Sequence, residues 1–125
     1  MAKNAQQFEE RPWGTFEVIA EFEAETPNGT EQVIVKKLVV YPNKRLSYQR
    51  HQLRNEHWHI VQGQGMIVLD DVEQNIEAGH KIHVPVGTKH RIANTHDTDN
   101  LIFIEITGGQ FDEFDNERLE DDFGR

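Results

Sequence analysis

The chain has 125 residues, enough for one domain with one core. Its 22 acidic and 13 basic residues give a net charge of −9, which argues against a nucleic-acid partner, since phosphate-backbone binding needs a basic footprint. Cysteine is absent, so disulfides and thiolate metal ligands are excluded. No stretch approaches the ~18 apolar residues of a membrane span and no apolar leader follows Met1, so the expectation is a cytoplasmic protein with no membrane partner.

Residues 1–10 are polar and predicted to form a loose N-terminal segment, with the domain running over 11–125. Strands are predicted at 14–22, 32–41, 45–51, 56–62, 65–69, 71–76, 81–84, 90–94 and 101–107. These stretches are rich in Val, Ile, Phe and Thr and are bounded by Gly, Pro, Asn or Asp. Pro27-Asn28-Gly29-Thr30, Asp70-Asp71 and Glu77-Ala78-Gly79-His80 read as turns. Only 116–122 offers a helical turn. Many short strands at this spacing predict an all-β sandwich or small barrel. With 36% hydrophobic residues, its outer face is expected to be wet and its inner face partly given to a polar site.

Two sets of metal-ligating residue types stand out: Gln49-x-His51-x4-Glu56-x6-Gly63, and Gly79-x5-Pro85-x-Gly87-x2-His90-x3-Asn94. Imidazole nitrogen with carboxylate or amide oxygen suits a divalent transition metal. Residues two apart on a strand share a face. Gln49 and His51 therefore face inward, with Ser47 and Arg45, while Tyr48 and Arg50 face out. On the next strand Glu56, Trp58 and Ile60 point in, which places His57 and His59 outside. His80, His83 and His96 read as surface residues. The predicted ligands are Gln49, His51, Glu56 and His90, holding one divalent ion; Zn, Mn, Co, Ni and Fe(II) all suit such a set.

These motifs resemble those of the cupin superfamily, with Gln49 in place of the first histidine. Arg11-Pro12-Trp13-Gly14, Val35-Lys36-Lys37-Leu38, Leu46-Ser47-Tyr48-Gln49-Arg50-His51, Arg54-Asn55-Glu56-His57-Trp58, His90-Arg91-Ile92-Ala93-Asn94 and the closing Arg118-Leu119-Glu120-Asp121-Asp122-Phe123-Gly124-Arg125 look like type II phosphomannose isomerases. The resemblance runs from about Arg11 to the last residue. It implies a double-stranded β-helix (a small antiparallel jelly-roll barrel) and a homodimer, as small barrels often pair their exposed edges. Such cupins often end a longer protein that carries a sugar-nucleotide pyrophosphorylase; 125 residues leave no room for one, so nucleotide transfer is not expected.

The activity implied is metal-dependent interconversion of mannose 6-phosphate and fructose 6-phosphate through an enediolate. Glu105 or Lys36 would carry the proton and Arg54 would face the developing charge. Lys36 and Lys37 cannot both point inward. Arg118 and Arg125 match arginines of the closing motif and Arg11 one of the opening motif; arginine suits a sugar phosphate because it grips two oxygens. Basic residues crowd both motifs, so a small anion could be drawn to a positive mouth on an acidic body. The alternatives are a non-catalytic sugar or sugar-phosphate binding cupin and an Fe(II) dioxygenase. Asn43, Tyr48 and Thr107 depart from the family pattern, and Asn43 can supply the φ > 0 that glycine would.

Overall fold

Eleven strands account for nearly all regular structure in the computed structural model, which describes residues 7–110, 112 and 114–124. They are β1 (Phe8–Arg11), β2 (Gly14–Thr26), β3 (Gly29–Val40), β4 (Tyr48–Arg50), β5 (Arg54–Gln62), β6 (Gln64–Leu69), β7 (Val72–Glu77), β8 (Lys81–Val84), β9 (His90–Asn94), β10 (Leu101–Gly109) and β11 (Glu117–Glu120). One sheet has the order β1-β2-β3-β10-β5-β8 and the other β11-β4-β9-β6-β7, with antiparallel pairing. No helix among the described residues is long and apolar enough to cross a membrane.

Turn chemistry sets the register. Asp70 and Asp71 both have φ > 0, at 48° and 70°, the backbone a two-residue hairpin between β6 and β7 requires. Asn43 has φ 59°, as its residue type allows. At Gly63, φ is 93° and an added Cβ would lie 2.7 Å from the Asn100 carbonyl oxygen, so the β5–β6 connection tolerates no side chain. Alternating residues then meet between the sheets: Leu38, Val40, Trp58, Ile60, Ile67, Ile92, Leu101 and Phe103 are buried with Trp13, Ile76, Ile82 and Val84. The three largest fully buried side chains, Phe103, Ile60 and Ile67, come from strands of both sheets.

Four expectations are corrected. The tail is not helical: Glu117–Glu120 pairs with β4 as an edge strand. Phe8–Glu10 is not loose but pairs with β2; residues 1–6 lie outside the described residues. Arg45 does not face inward. The 41–47 segment is no continuous strand, Arg45 makes only an isolated bridge to Ala93, and its guanidinium turns out to Asp122 at 2.7 and 2.8 Å. Lastly, the outer face of the six-stranded sheet is not wholly wet. Phe22, Val61 and Ile106 are 53%, 52% and 43% exposed there, with Val33, Val35 and Ile104 half-buried beside them.

His57 and His83 sit opposite each other on β5 and β8, on that outer face, with rings stacked 4.3 Å apart and 9° from parallel. Burial, and then the charge of His83, holds the His57 imidazole below its ordinary value. Both causes disfavour its protonated form. His57 should therefore titrate below ~6.5 when its ring protons are followed by NMR, and His83→Ala should move it upward. A midpoint at or above the ordinary value would contradict the stacked geometry.

Candidate metal centre

Strand β5 lies between β10 and the edge strand β8, and its inward residues are Glu56, Trp58 and Ile60. Glu56 meets His51, just past β4, and His90, the first residue of β9. One ligand atom from each lies within 4.8 Å of the others, and all three residues are buried. Glu56 Oε2 is 3.3 Å from His51 Nε2 and 3.8 Å from His90 Nε2. Two imidazoles and a carboxylate from three separate parts of the barrel fit a divalent transition metal, and the cluster opens on a cavity that leaves positions for substrate or water. Gln49 is the register partner of His90 and lines the same cavity.

Backbone carbonyls orient both imidazoles. His90 Nδ1 lies 3.0 Å from the Thr88 carbonyl oxygen and His51 Nδ1 3.4 Å from that of Asp115. A carbonyl oxygen can only accept, so each Nδ1 carries a proton and each Nε2 is turned to Glu56. Protonated, Nε2 donates to the carboxylate; deprotonated, it offers a lone pair to an ion. Burial lowers the His90 pKa, favouring the neutral, ligating form. Arg54 brings a guanidinium nitrogen to 3.2 Å from His51 Nε2.

The two carboxyl groups of the site are pushed apart. Burial alone would raise the Glu56 pKa, but hydrogen bonding from His51, the charge of His90 and a hydrogen bond with Glu105 hold it well below the usual range. Glu105 faces the same cavity from β10. Burial raises its carboxyl, and the neighbouring Glu56 charge pushes the same way, to about 8. An ion on Glu56 would reduce the second contribution and leave the first. Thr107, buried on β10, donates its hydroxyl to Glu105 Oε1 at 3.2 Å.

The cavity measures about 180 Å³, below the ~300–1,000 Å³ usual for sites that enclose a drug-sized ligand. Its floor is apolar, from Trp58, Ile92 and Phe103, and its mouth is basic. Arg11, Lys36, Arg54 and Arg118 all line it, while Lys37 is exposed. Phe16 lies between two of these cations, 5.0 Å from Arg11 Cζ and 4.9 Å from Lys36 Nζ. Arg11 also pairs with Glu9. Arg125 lies outside the described residues.

The residues chosen from sequence for metal, proton transfer and anion binding therefore gather in one cavity, Arg125 excepted. Missed were Trp58, whose indole Nε1 donates to Glu56 Oε1 at 2.9 Å, Thr107 and Asp115. The inward parity of Trp58 two residues after Glu56 was a usable signal. Asp115 had none, being 64 residues from His51 in the chain.

Comparison with known proteins bears on this site. The family described as "Mannose-6-phosphate isomerase C-terminal" matches residues 2–121. The chain belongs to that family. Alginate biosynthesis protein AlgA of Pseudomonas aeruginosa is 35% identical over 116 residues, covering 92% of this chain. Mannose-1-phosphate guanylyltransferase ManC of Salmonella typhimurium is 31% identical over the same share. This chain spans only 22% of the length of either protein. A cupin-2 domain from Rhodospirillum rubrum superposes with a TM-score of 0.71 at 14% identity, over 94% of this chain and 78% of that one, which supports the cupin fold alone. These relatives overturn the expected interconversion of mannose 6-phosphate and fructose 6-phosphate: ManC is a guanylyltransferase by name and AlgA an alginate biosynthesis protein, and neither is named for that isomerisation. The non-catalytic and dioxygenase alternatives gain nothing from these likenesses.

Trp58→Phe keeps the ring in the core and removes one donor to a buried carboxylate. Hydrogen bonds to charged groups contribute ~1.5–3 kcal/mol, so the variant should lose about that much stability in chemical denaturation. A loss no greater than a few tenths of a kcal/mol would show that the indole hydrogen bond does not hold Glu56.

Proposed function

We propose that the domain is a metal-dependent enzyme that moves a proton on a small anionic sugar derivative, with Glu105 as the proton carrier. The observation behind this reading is the position of Glu105. A carboxyl group whose pKa is raised by burial and by the neighbouring Glu56 charge faces the same cavity as a His–Glu–His cluster and a ring of cations. Such a group can give a proton and take one back. The bound ion, held by His51, Glu56 and His90 with Gln49, would polarise a substrate oxygen. Arg11 and Arg118 hold the substrate's anionic group at the mouth, leaving the sugar ring against the apolar floor. Thr107 fixes the Glu105 carboxyl, and Arg54 and Lys36 offset negative charge that develops between the two carboxyl groups.

The test is solvent exchange. Protein loaded with manganese, cobalt, nickel or zinc is incubated in deuterium oxide with a panel of phosphorylated and nucleotide-linked sugars. NMR should show deuterium entering a carbon position of one of them. Glu105→Gln should abolish this exchange while retaining metal, and His90→Ala should lose both. Exchange with no metal form, or exchange undiminished by Glu105→Gln, overturns the proposal.

The homodimer forms, on this reading, through the apolar outer face of the six-stranded sheet instead of through a strand edge. That face is bipolar: Glu31 lies at the β2–β3 end, over Gly108, and Lys81 with His83 at the β8 end. Two copies related by a two-fold axis would pair unlike ends while burying Ile104 and Ile106. Ile106→Glu should convert a dimer to a monomer by light scattering. A parent that is monomeric at high micromolar concentration, or a variant that stays dimeric, rules this surface out.

A further inference from the structure

The C-terminal strand is held in an unusual way. All four residues of β11 are exposed, so burial of apolar side chains does not fasten it; Phe123, further on, packs partly against the core. Three arginines clasp the strand and the residues beyond it. Arg50 reaches Glu117 at 2.7 Å, Arg45 grips Asp122 through two nitrogens, and Arg91 donates to the Glu120 carboxylate at 3.4 Å and to its carbonyl at 3.3 Å. Thus fastened, the segment sets Arg118 opposite Gln49 in register, and Arg118 lines the cavity.

Just before β11, Asp115 does something different. Its carboxylate accepts the backbone N–H groups of Gln52 at 2.8 Å and Leu53 at 2.9 Å, one on each oxygen. Its carbonyl oxygen faces His51 Nδ1. These three residues form the turn that joins β4 to β5, between the ligand His51 and the ligand Glu56. Among the described residues the backbone of the same turn is also met by single bonds, from Gly87 N–H to the His51 carbonyl and from Gln110 N–H to that of Leu53. One residue of the C-terminal segment thereby sets both the backbone of the turn and the ring orientation of a ligand.

We propose that Asp115 is a positioning residue for the metal site, and that metal binding and docking of the C-terminal segment stabilise each other. The proposal rests on the metal reading above. The coupling is reciprocal by linkage: if the docked segment orients His51 for the ion, the bound ion must hold the segment docked by the same factor. Loss of a group that orients a ligand typically weakens metal binding ~10–100-fold. In Asp115→Ala the backbone carbonyl remains, so the lower end of that range, ~10-fold, is expected.

Cobalt(II) is the probe, because its visible spectrum reports ligand geometry as well as occupancy. Titration of the parent, Asp115→Ala and Asp115→Asn is followed well below their melting temperatures. Asp115→Ala should bind about tenfold more weakly with an altered spectrum, and Asp115→Asn, whose amide oxygen still accepts an N–H, should recover part of the affinity. If the alanine variant does not fold, the asparagine variant carries the comparison. The reciprocal arm uses chymotrypsin, with Phe114 87% exposed within the segment. Metal should slow cleavage after Phe114 in the parent, and less so in the Asp115 variants. Unchanged affinity and spectrum in the variants, or cleavage that metal does not slow, overturns the coupling and leaves the metal site standing. A parent that binds no cobalt overturns both.

Discussion

Everything in this barrel is arranged around one buried carboxylate. Ionised Glu56 inside an apolar core would cost several kcal/mol if left alone, and it is only 4% exposed. Its oxygens are met from four sides: the Trp58 indole on its own strand, His51 and His90 from the opposing sheet, and Glu105 from the neighbouring strand. Removing one donor leaves a charge with too few partners, which is more damaging than the absence of the whole network would be. β5 is paired on both sides, with β10 and with β8, so Glu56 is flanked within its own sheet as well as faced from the other. An edge strand could not be approached from so many directions.

Charge is unevenly distributed at longer range as well. The protein carries −9 overall, yet the side chains around the cavity mouth include Arg11, Lys36, Arg54 and Arg118. Acidic residues are spent outside, and several of them clasp arginines that would otherwise widen the positive field: Glu117 with Arg50, Asp122 with Arg45, Glu120 with Arg91. What remains is a narrow basic opening over a low-dielectric floor, a geometry that focuses potential on a small anion. Exposed pairs contribute little stability one at a time. Their value here is geometric, since they place a segment that bears both Arg118 and Asp115.

Where chain chemistry is local, the sequence reads well. The bounds of β8 and β9 follow from flanking glycine, proline and asparagine, and period-2 parity from Glu56 separates His57 and His59 on the surface from the inward ligand. Parity failed at Arg45 because the strand predicted at 45–51 is regular only over Tyr48–Arg50, and Arg45 makes an isolated bridge ahead of it. β11 could not be read, because no alternation of apolar residues marks a strand held by arginines 29 to 77 residues away. Glu105 could be placed on a strand but not given a pKa, which depends on burial and on Glu56, a residue far earlier in the chain. The outer face of the large sheet escaped for a different reason: composition alone cannot tell which face of a strand its isoleucines occupy.

The relation to guanylyltransferases constrains function through length more than through name. The matched segment is 22% of those proteins, so an activity named for the whole does not by its name assign a reaction to this part, and neither does a fold. The described residues that line the cavity, from Arg11 to Arg118, fall within the matched residues 2–121. The site's chemistry must be argued from the pair of carboxyls, whose surroundings drive one down and the other up. Two acids separated in this way are equipped for different tasks. Glu56, ionised, is suited to ligation, and Glu105, protonated and steadied by Thr107, to proton transfer. The cations and the apolar floor would serve sugar binding by themselves; the second carboxyl, facing the first across the cavity, is the feature on which the proposed proton transfer rests.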